Sequence, residues 1–150
     1  YGDICNIHDI VGRLKQAGKI VIIHLDLVTG LSSKEIAVTY LHAVTHGDGI
    51  ISTKPGIIRK AKEEGMLAIM RFFVIDSIAF ESIQKQVENV HPDMIEILPG
   101  LMPKVIKKIC GKSHIPVIAG GLITDKEDIM AALGAGAISI STTNQKVWFM

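Results

Sequence analysis

The sequence predicts an α/β protein, a parallel (βα) barrel of the TIM type, and three observations carry that prediction. Short apolar runs alternate strictly with amphipathic stretches along the whole chain. Several of these runs, rich in Ile and Val, show no polar alternation, which marks strands covered on both faces of a parallel sheet. Each run together with the stretch that follows it occupies about 20–25 residues, the rhythm of a barrel more than of an open doubly wound sheet. Strict β-then-α order also means parallel strands joined by right-handed crossovers.

The elements follow in order. Tyr1-Gly2-Asp3 reads as the tail of a strand entering a helix, the body of that strand lying upstream. A helix is expected from Ile7 to Gln16, ended by Gly18, and then a strand over Lys19–Asp26. Ser32-Ser33-Lys34-Glu35 has the pattern of a capping box opening a helix that runs to about Val44. Strands are predicted at Gly49–Ser52, Leu67–Phe73, Met94–Leu98, Pro116–Ala119 and Ala137–Ser141. Between them, Pro55 starts one helix and Gly65 closes it. Asp76 caps the next, whose Phe80, Ile83, Val87 and Val90 recur at helical spacing. Pro103 opens another, with Val105, Ile106 and Ile109 facing inward. Thr124-Asp125-Lys126-Glu127 reads as a second capping box, followed by an apolar face of Ile129, Met130 and Leu133. No linker divides the chain, so residues 1–150 are expected to form a single barrel domain that is incomplete at its N-terminus.

Composition narrows the function classes. Hydrophobic residues at 48% and charged ones at 21% describe a globular chain and exclude a disordered one. Sixteen Lys plus Arg against fifteen Asp plus Glu leave a net charge of +1, which argues against a protein that grips nucleic acid by bulk charge but leaves room for a local basic stripe. Cys5 and Cys110 lack metal-ligand spacing and are expected to be buried free thiols in a reducing compartment. No apolar run approaches the roughly 20 residues of a membrane helix, and no basic-then-apolar leader suggests export.

In a parallel barrel, chemistry sits where strands end and βα loops begin. The polar residues at those ends are His24, Asp26, Ser52 to Lys54, Arg71, Glu96, Gly120, Gly121 and Ser141 to Asn144. Gly120 and Gly121 follow the seventh strand in barrel counting, and Ser141, Thr142 and Thr143 close the eighth. Glycines there let main-chain N–H groups approach an anion, a helix start adds dipole attraction, and the hydroxyls supply donors, so these two loops are the expected phosphate site. His24 and Asp26 are two apart, which on a strand puts them on one side. Asp26 is then expected to meet ligand hydroxyls and His24 to serve the structure. Arg71 inside an apolar run needs a counterion, and Glu96 on the next strand is its natural partner, as a lumen salt bridge or as part of a ligand site. Lys54 stands at a helix start, where a cation opposes the dipole, and this placement suggests a role against an anionic ligand. Arg59, Lys60 and Lys62 on one helix, and Lys104, Lys107, Lys108 and Lys112 on another, form basic runs without the interleaved aromatics of a single-strand binding surface. No metal site and no catalytic acid–base pair is apparent along the chain.

Gly49-Ile-Ile-Ser-Thr-Lys-Pro55, Arg71-Phe-Phe73 with Asp76-Ser77, and Glu96-Ile-Leu-Pro-Gly100 with Met102-Pro103 form a distinctive combination. With Ala119-Gly-Gly-Leu-Ile123, Ser141-Thr-Thr-Asn144 through Val147-Trp-Phe-Met150, Gly2-Asp3-Ile4 and His24-Leu-Asp26, it resembles the glycerol-3-phosphate-responsive antiterminator family over essentially all 150 residues. The resemblance implies a further strand, helix and strand ahead of Tyr1. It also implies a cytoplasmic bacterial regulator without cofactor that takes glycerol 3-phosphate as effector and acts on the leader of a glycerol-catabolic mRNA to prevent premature termination. Carried onto this chain, Gly120, Gly121, Ser141 and Thr142, with Lys54, would take the phosphate, and Asp26, Arg71 and Glu96 would meet the glycerol hydroxyls. Self-association into a homo-oligomer is left open. The competing readings are a phosphosugar isomerase or synthase on the same barrel, using Asp26, Glu96 and His24, and a barrel that serves only as a scaffold.

Overall fold

The computed structural model describes residues 2–150, so Tyr1 and its share of the expected strand tail lie outside the described residues. Six strands, β1 (Ile22–His24), β2 (Gly49–Ser52), β3 (Leu67–Phe73), β4 (Met94–Leu98), β5 (Val117–Gly120) and β6 (Ser139–Ser141), follow one another in the sheet in chain order. The fold is therefore parallel α/β. Two compact units divide the chain. One holds the described residues up to Met70 with Val90–Pro92, and the other holds Arg71–Asn89 and Asp93–Met150.

In the first unit, α1 (Ile7–Gln16), α2 (Glu35–Val44) and α3 (Pro55–Glu63) alternate with β1, β2 and the start of β3. The pairing is parallel, with Ile23 opposite Ile50 and Ile51 opposite Ile69. All four residues of β2 are buried, which explains a run without polar alternation. Asp48 ties the start of β1 to α1, accepting from Lys15 Nζ at 2.7 Å and from the Val21 amide at 2.7 Å. Gly18 and Gly65 end their helices in the left-handed conformation, as expected of Gly after a last turn.

Two expectations fail in this unit. β1 stops pairing at His24 opposite Ile51, and the chain turns into a 3₁₀ segment over Leu25–Leu27 that buries Leu25 completely. Asp26 consequently lies on a turn, and the period-2 argument placing it beside His24 does not apply. The capping box also does not form, because Lys34 is the N-cap of α2 without a side-chain bond. Ser33 instead lies beside the Asp26 carboxylate and helps to keep it ionised.

In the second unit, α4 (Ser77–Val90), α5 (Pro103–Lys112) and α6 (Lys126–Gly134) separate β4, β5 and β6. Asp76 Oδ1 caps α4 by accepting from the Ala79 amide at 2.7 Å. Ile83 and Val87 are buried beneath α4, as Ile106 and Ile109 are beneath α5. The α6 cap is Asp125, which accepts from the Asp128 amide at 2.9 Å. Thr124, the expected cap, donates to the Asp128 carboxylate. The expected apolar face of α6 is mostly outside: Met130 and Leu133 are exposed and Ala132 is the buried contact, small enough for the helix to lie close. Cys5 is exposed and Cys110 partly buried, so the pair of buried thiols is not found. Burial pushes the Cys110 thiol up.

Candidate functional site

At the carboxyl ends of β1 and β2, one network holds four of the expected residues. Ser52, fully buried at the end of β2, donates to Asp26 Oδ2 at 2.7 Å and accepts from the Lys54 amide at 3.1 Å. The Thr53 amide donates to the same carboxylate oxygen at 3.3 Å. The other oxygen faces Lys54 Nζ at 3.7 Å. Burial pushes the Asp26 carboxyl up, but the hydrogen bonds from Ser52 and Thr53, the neighbouring Ser33 and the charge of Lys54 outweigh it and hold the group below the ordinary aspartate range. Lys54 is the N-cap of α3, with Pro55 in the first turn. An open cleft of about 540 Å³ adjoins, lined by Ser33, Lys34, Glu35, Lys54 and Gly56 among others.

At the carboxyl ends of β4, β5 and β6, a second network holds the rest. Glu96 is 1% exposed and accepts from Arg71 Nε, so the counterion expected for a charge in a buried strand is the one found. Gly120 lies against this carboxylate: a Cβ there would stand 2.7 Å from Glu96 Oε1. The glycine is required by close approach, since any side chain would displace the ion pair. After it the chain takes two consecutive left-handed residues, Gly121 at φ 77° and Leu122 at φ 62°. A bulky residue such as Leu122 adopts that conformation only when its surroundings impose it.

Gly120 is the register partner of Ser141, and the Gly121 amide donates to the Ser141 carbonyl over a long 3.4 Å. The two segments assigned to the phosphate are therefore neighbours. Thr142 has a different occupation from the one expected. Its hydroxyl donates to the Ile123 carbonyl at 2.9 Å and accepts from the Asn144 amide at 3.1 Å. Asn144 Nδ2 donates to the Thr124 carbonyl at 2.9 Å, and Trp148 Nε1 to the Thr142 carbonyl at 3.0 Å. These bonds clasp the loop after β5 to the loop after β6.

The structure thus brings Asp26 to Lys54 in one unit, and Arg71, Glu96, Gly120, Gly121, Ser141 and Thr142 together in the other. Sequence reasoning missed the contribution of Ser33, which its neighbours disguised as a cap, and the strain at Leu122, for which one sequence offers no signal. Among the described residues, no group of three or more His, Cys, Asp or Glu is placed to hold a metal ion, and no helix is long and apolar enough to cross a membrane.

Comparison with known proteins identifies the relatives of this arrangement. The Escherichia coli K12 protein YgcP, described as uncharacterized, is 50% identical over 148 residues, covering 99% of this chain and 78% of the relative. The crystal structure of the glycerol uptake operon antiterminator regulatory protein from Listeria monocytogenes superposes with a TM-score of 0.94 at 40% identity, covering 99% of this chain and 80% of that one. A glycerol uptake operon antiterminator-related protein from Thermotoga maritima gives 0.89 at 37% identity, covering 99% and 84%. The family model described as glycerol-3-phosphate responsive antiterminator matches residues 1–148. The chain belongs to that family, one of regulators and not of enzymes.

Proposed function

We propose that this chain binds glycerol 3-phosphate at its strand ends and, so loaded, acts in the cytoplasm on the leader of a glycerol-catabolic mRNA to prevent premature termination. The observation that carries the binding half is the strained Gly120-Gly121-Leu122 turn in register with Ser141. The long Gly121 bond to Ser141 is readily exchanged for a shorter, charge-assisted bond to a phosphate oxygen, and the Ser141 hydroxyl is a second donor. The main chain of Thr142 contributes from the adjoining loop, while its hydroxyl keeps that loop in place. Arg71, oriented by Glu96 through Nε, presents its remaining N–H groups, and the pair meets the glycerol hydroxyls. In the first unit, Asp26 and Lys54 set a carboxylate and a cation at the ends of β1 and β2. No cofactor is needed. The ordered parallel strands fit a (βα) barrel with this chemistry at its carboxyl-terminal face.

Effector and RNA are linked only if glycerol 3-phosphate binds the RNA-competent state more tightly than the other state. The test is a thermal-shift titration with glycerol 3-phosphate, paired with leader-RNA affinity measured with and without it. Effector at about a hundred times its Kd stabilises a one-site binder by about 2.7 kcal/mol. Gly121→Ala, which places a side chain at φ 77°, should fold but lose most of that stabilisation. Unchanged melting with effector, or RNA affinity indifferent to it, would remove the reading.

A further inference from the structure

We infer that the lysine face of α5 is the docking surface for the phosphate backbone of RNA, an inference that rests on the antiterminator reading above and gives it a location. Helix α5 carries Lys104, Lys107, Lys108 and Lys112 and not one Asp or Glu. Lys104, Lys108 and Lys112, each four residues from the next, form a row along the axis that rises about 6 Å per step, with Lys107 beside it. All four are exposed, while Ile106 and Ile109 hold the opposite side of the helix in the core.

Among the described residues, none of these four lysines is in an ion pair. Lys112 alone has another cationic contact, lying 5.6 Å from the Phe80 ring centroid. Helix α3 differs: its Arg59 also has no partner among the described residues, but its two lysines are engaged. There Lys60 meets Glu64 at 3.0 Å and Glu63 at 3.5 Å, and Lys62 donates to the His91 carbonyl at 2.6 Å. On α5 the like charges at i,i+4 repel, and Lys104 faces the positive end of the helix dipole in the first turn. Within a chain whose net charge is +1, an unneutralised row of this kind is a local field for a polyanion.

The chemistry points to phosphates rather than bases. The α5 face has no aromatic residue for stacking and no Arg or amide side chain for bidentate reading of base edges. Contact by lysine point charges is sequence-tolerant and strongly salt-dependent. An anionic membrane would also attract lysines, but the exposed side of α5 offers no large apolar residue to insert beside them.

The experiment uses the full chain and the triple variant K104Q/K107Q/K108Q, with K60Q as the α3 control. Affinity is measured across a salt series for the leader RNA, for an unrelated RNA hairpin and for anionic vesicles, with glycerol 3-phosphate present. The triple variant should lose about tenfold or more in affinity for both RNAs, and its log K against log salt slope should flatten by about 2–3. Its melting temperature and effector-induced thermal shift should match the parent, and K60Q should bind as the parent does. Equal affinity and slope for the triple variant, an equal loss in K60Q, or a loss confined to vesicles overturns the docking surface. Wild-type affinity for the leader that ignores the effector defeats the antiterminator reading alone, since the α5 dependence of the hairpin arm still stands. Wild type that binds neither RNA defeats both.

Discussion

Arg71 with Glu96 in the second unit, and Lys54 with Asp26 in the first, are the same two charges brought together in different surroundings. Glu96 is 1% exposed, its partner is a guanidinium held through Nε, and Gly120 closes over the carboxylate. Lys54 keeps about half its side chain in solvent and stands 3.7 Å from an Asp26 that already has hydrogen bonds from Ser52 and Thr53. A charge taken out of water depends on its partner, whereas a charge left at the surface gains little from one. The buried pair is thus a fixed part of the scaffold at the strand ends, and the open pair leaves its cation available.

The largest effect expected from this contrast is at Arg71. Arg71→Met strands the Glu96 carboxylate in the interior and should cost about 3–5 kcal/mol in urea unfolding, most of it recovered in Arg71→Met/Glu96→Leu. A single variant within about 1 kcal/mol of the parent would break the comparison. A smaller effect is expected from Asp26 and takes the form of pH dependence. Its carboxyl is held below the ordinary 3.8, so its contribution is present above that pH and is lost as the pH falls through the lowered folded value. Asp26→Asn should flatten the acid limb of the stability profile below about pH 4, and an unchanged limb would show that the network does not favour the ionised form. The smallest effect should be that of Lys54→Ala, about 0–1 kcal/mol and diminishing with salt, measured by denaturant midpoints at low and high ionic strength. A loss as large as that of Arg71→Met would mean the open pair is a structural one after all.

Strand positions were legible wherever both ends carry punctuation. Gly49–Ser52 and Met94–Leu98 agree with the sequence residue for residue, because Gly49 and Pro99 mark where a ladder starts or stops. The Arg71–Glu96 pairing was legible for a stricter reason, since a charge in a buried run has to find its opposite. The length of β1 was not. Its pairing ends at His24 opposite Ile51, although β2 runs on to Ser52, and no residue of β1 itself encodes that limit. Caps failed for a related reason. Ser32 and Thr124 had the right spacing, but α2 begins only after Lys34, and the Thr124 hydroxyl is taken by a nearby charged acceptor, Asp128. At α6, Met130 and Leu133 looked like a core face, whereas burial at Ala132 reflects how closely the helix lies, a tertiary property. In the candidate site the residue types were readable. The loop-to-loop duty of the Thr142 hydroxyl was not, because its acceptor is a main-chain carbonyl that every residue possesses.

The chain has one tryptophan, and its indole N–H ends in the clasp between the two loops, on the carbonyl of Thr142. The ring is about half exposed, at 55%. Any rearrangement that pulls the Ile123 carbonyl pulls the Thr142 hydroxyl, and with it the atom to which the indole is tethered. Emission from this single indole, excited selectively over the two tyrosines, is therefore a label-free optical gauge of the glycine turn, built into the native chain and needing no engineered dye.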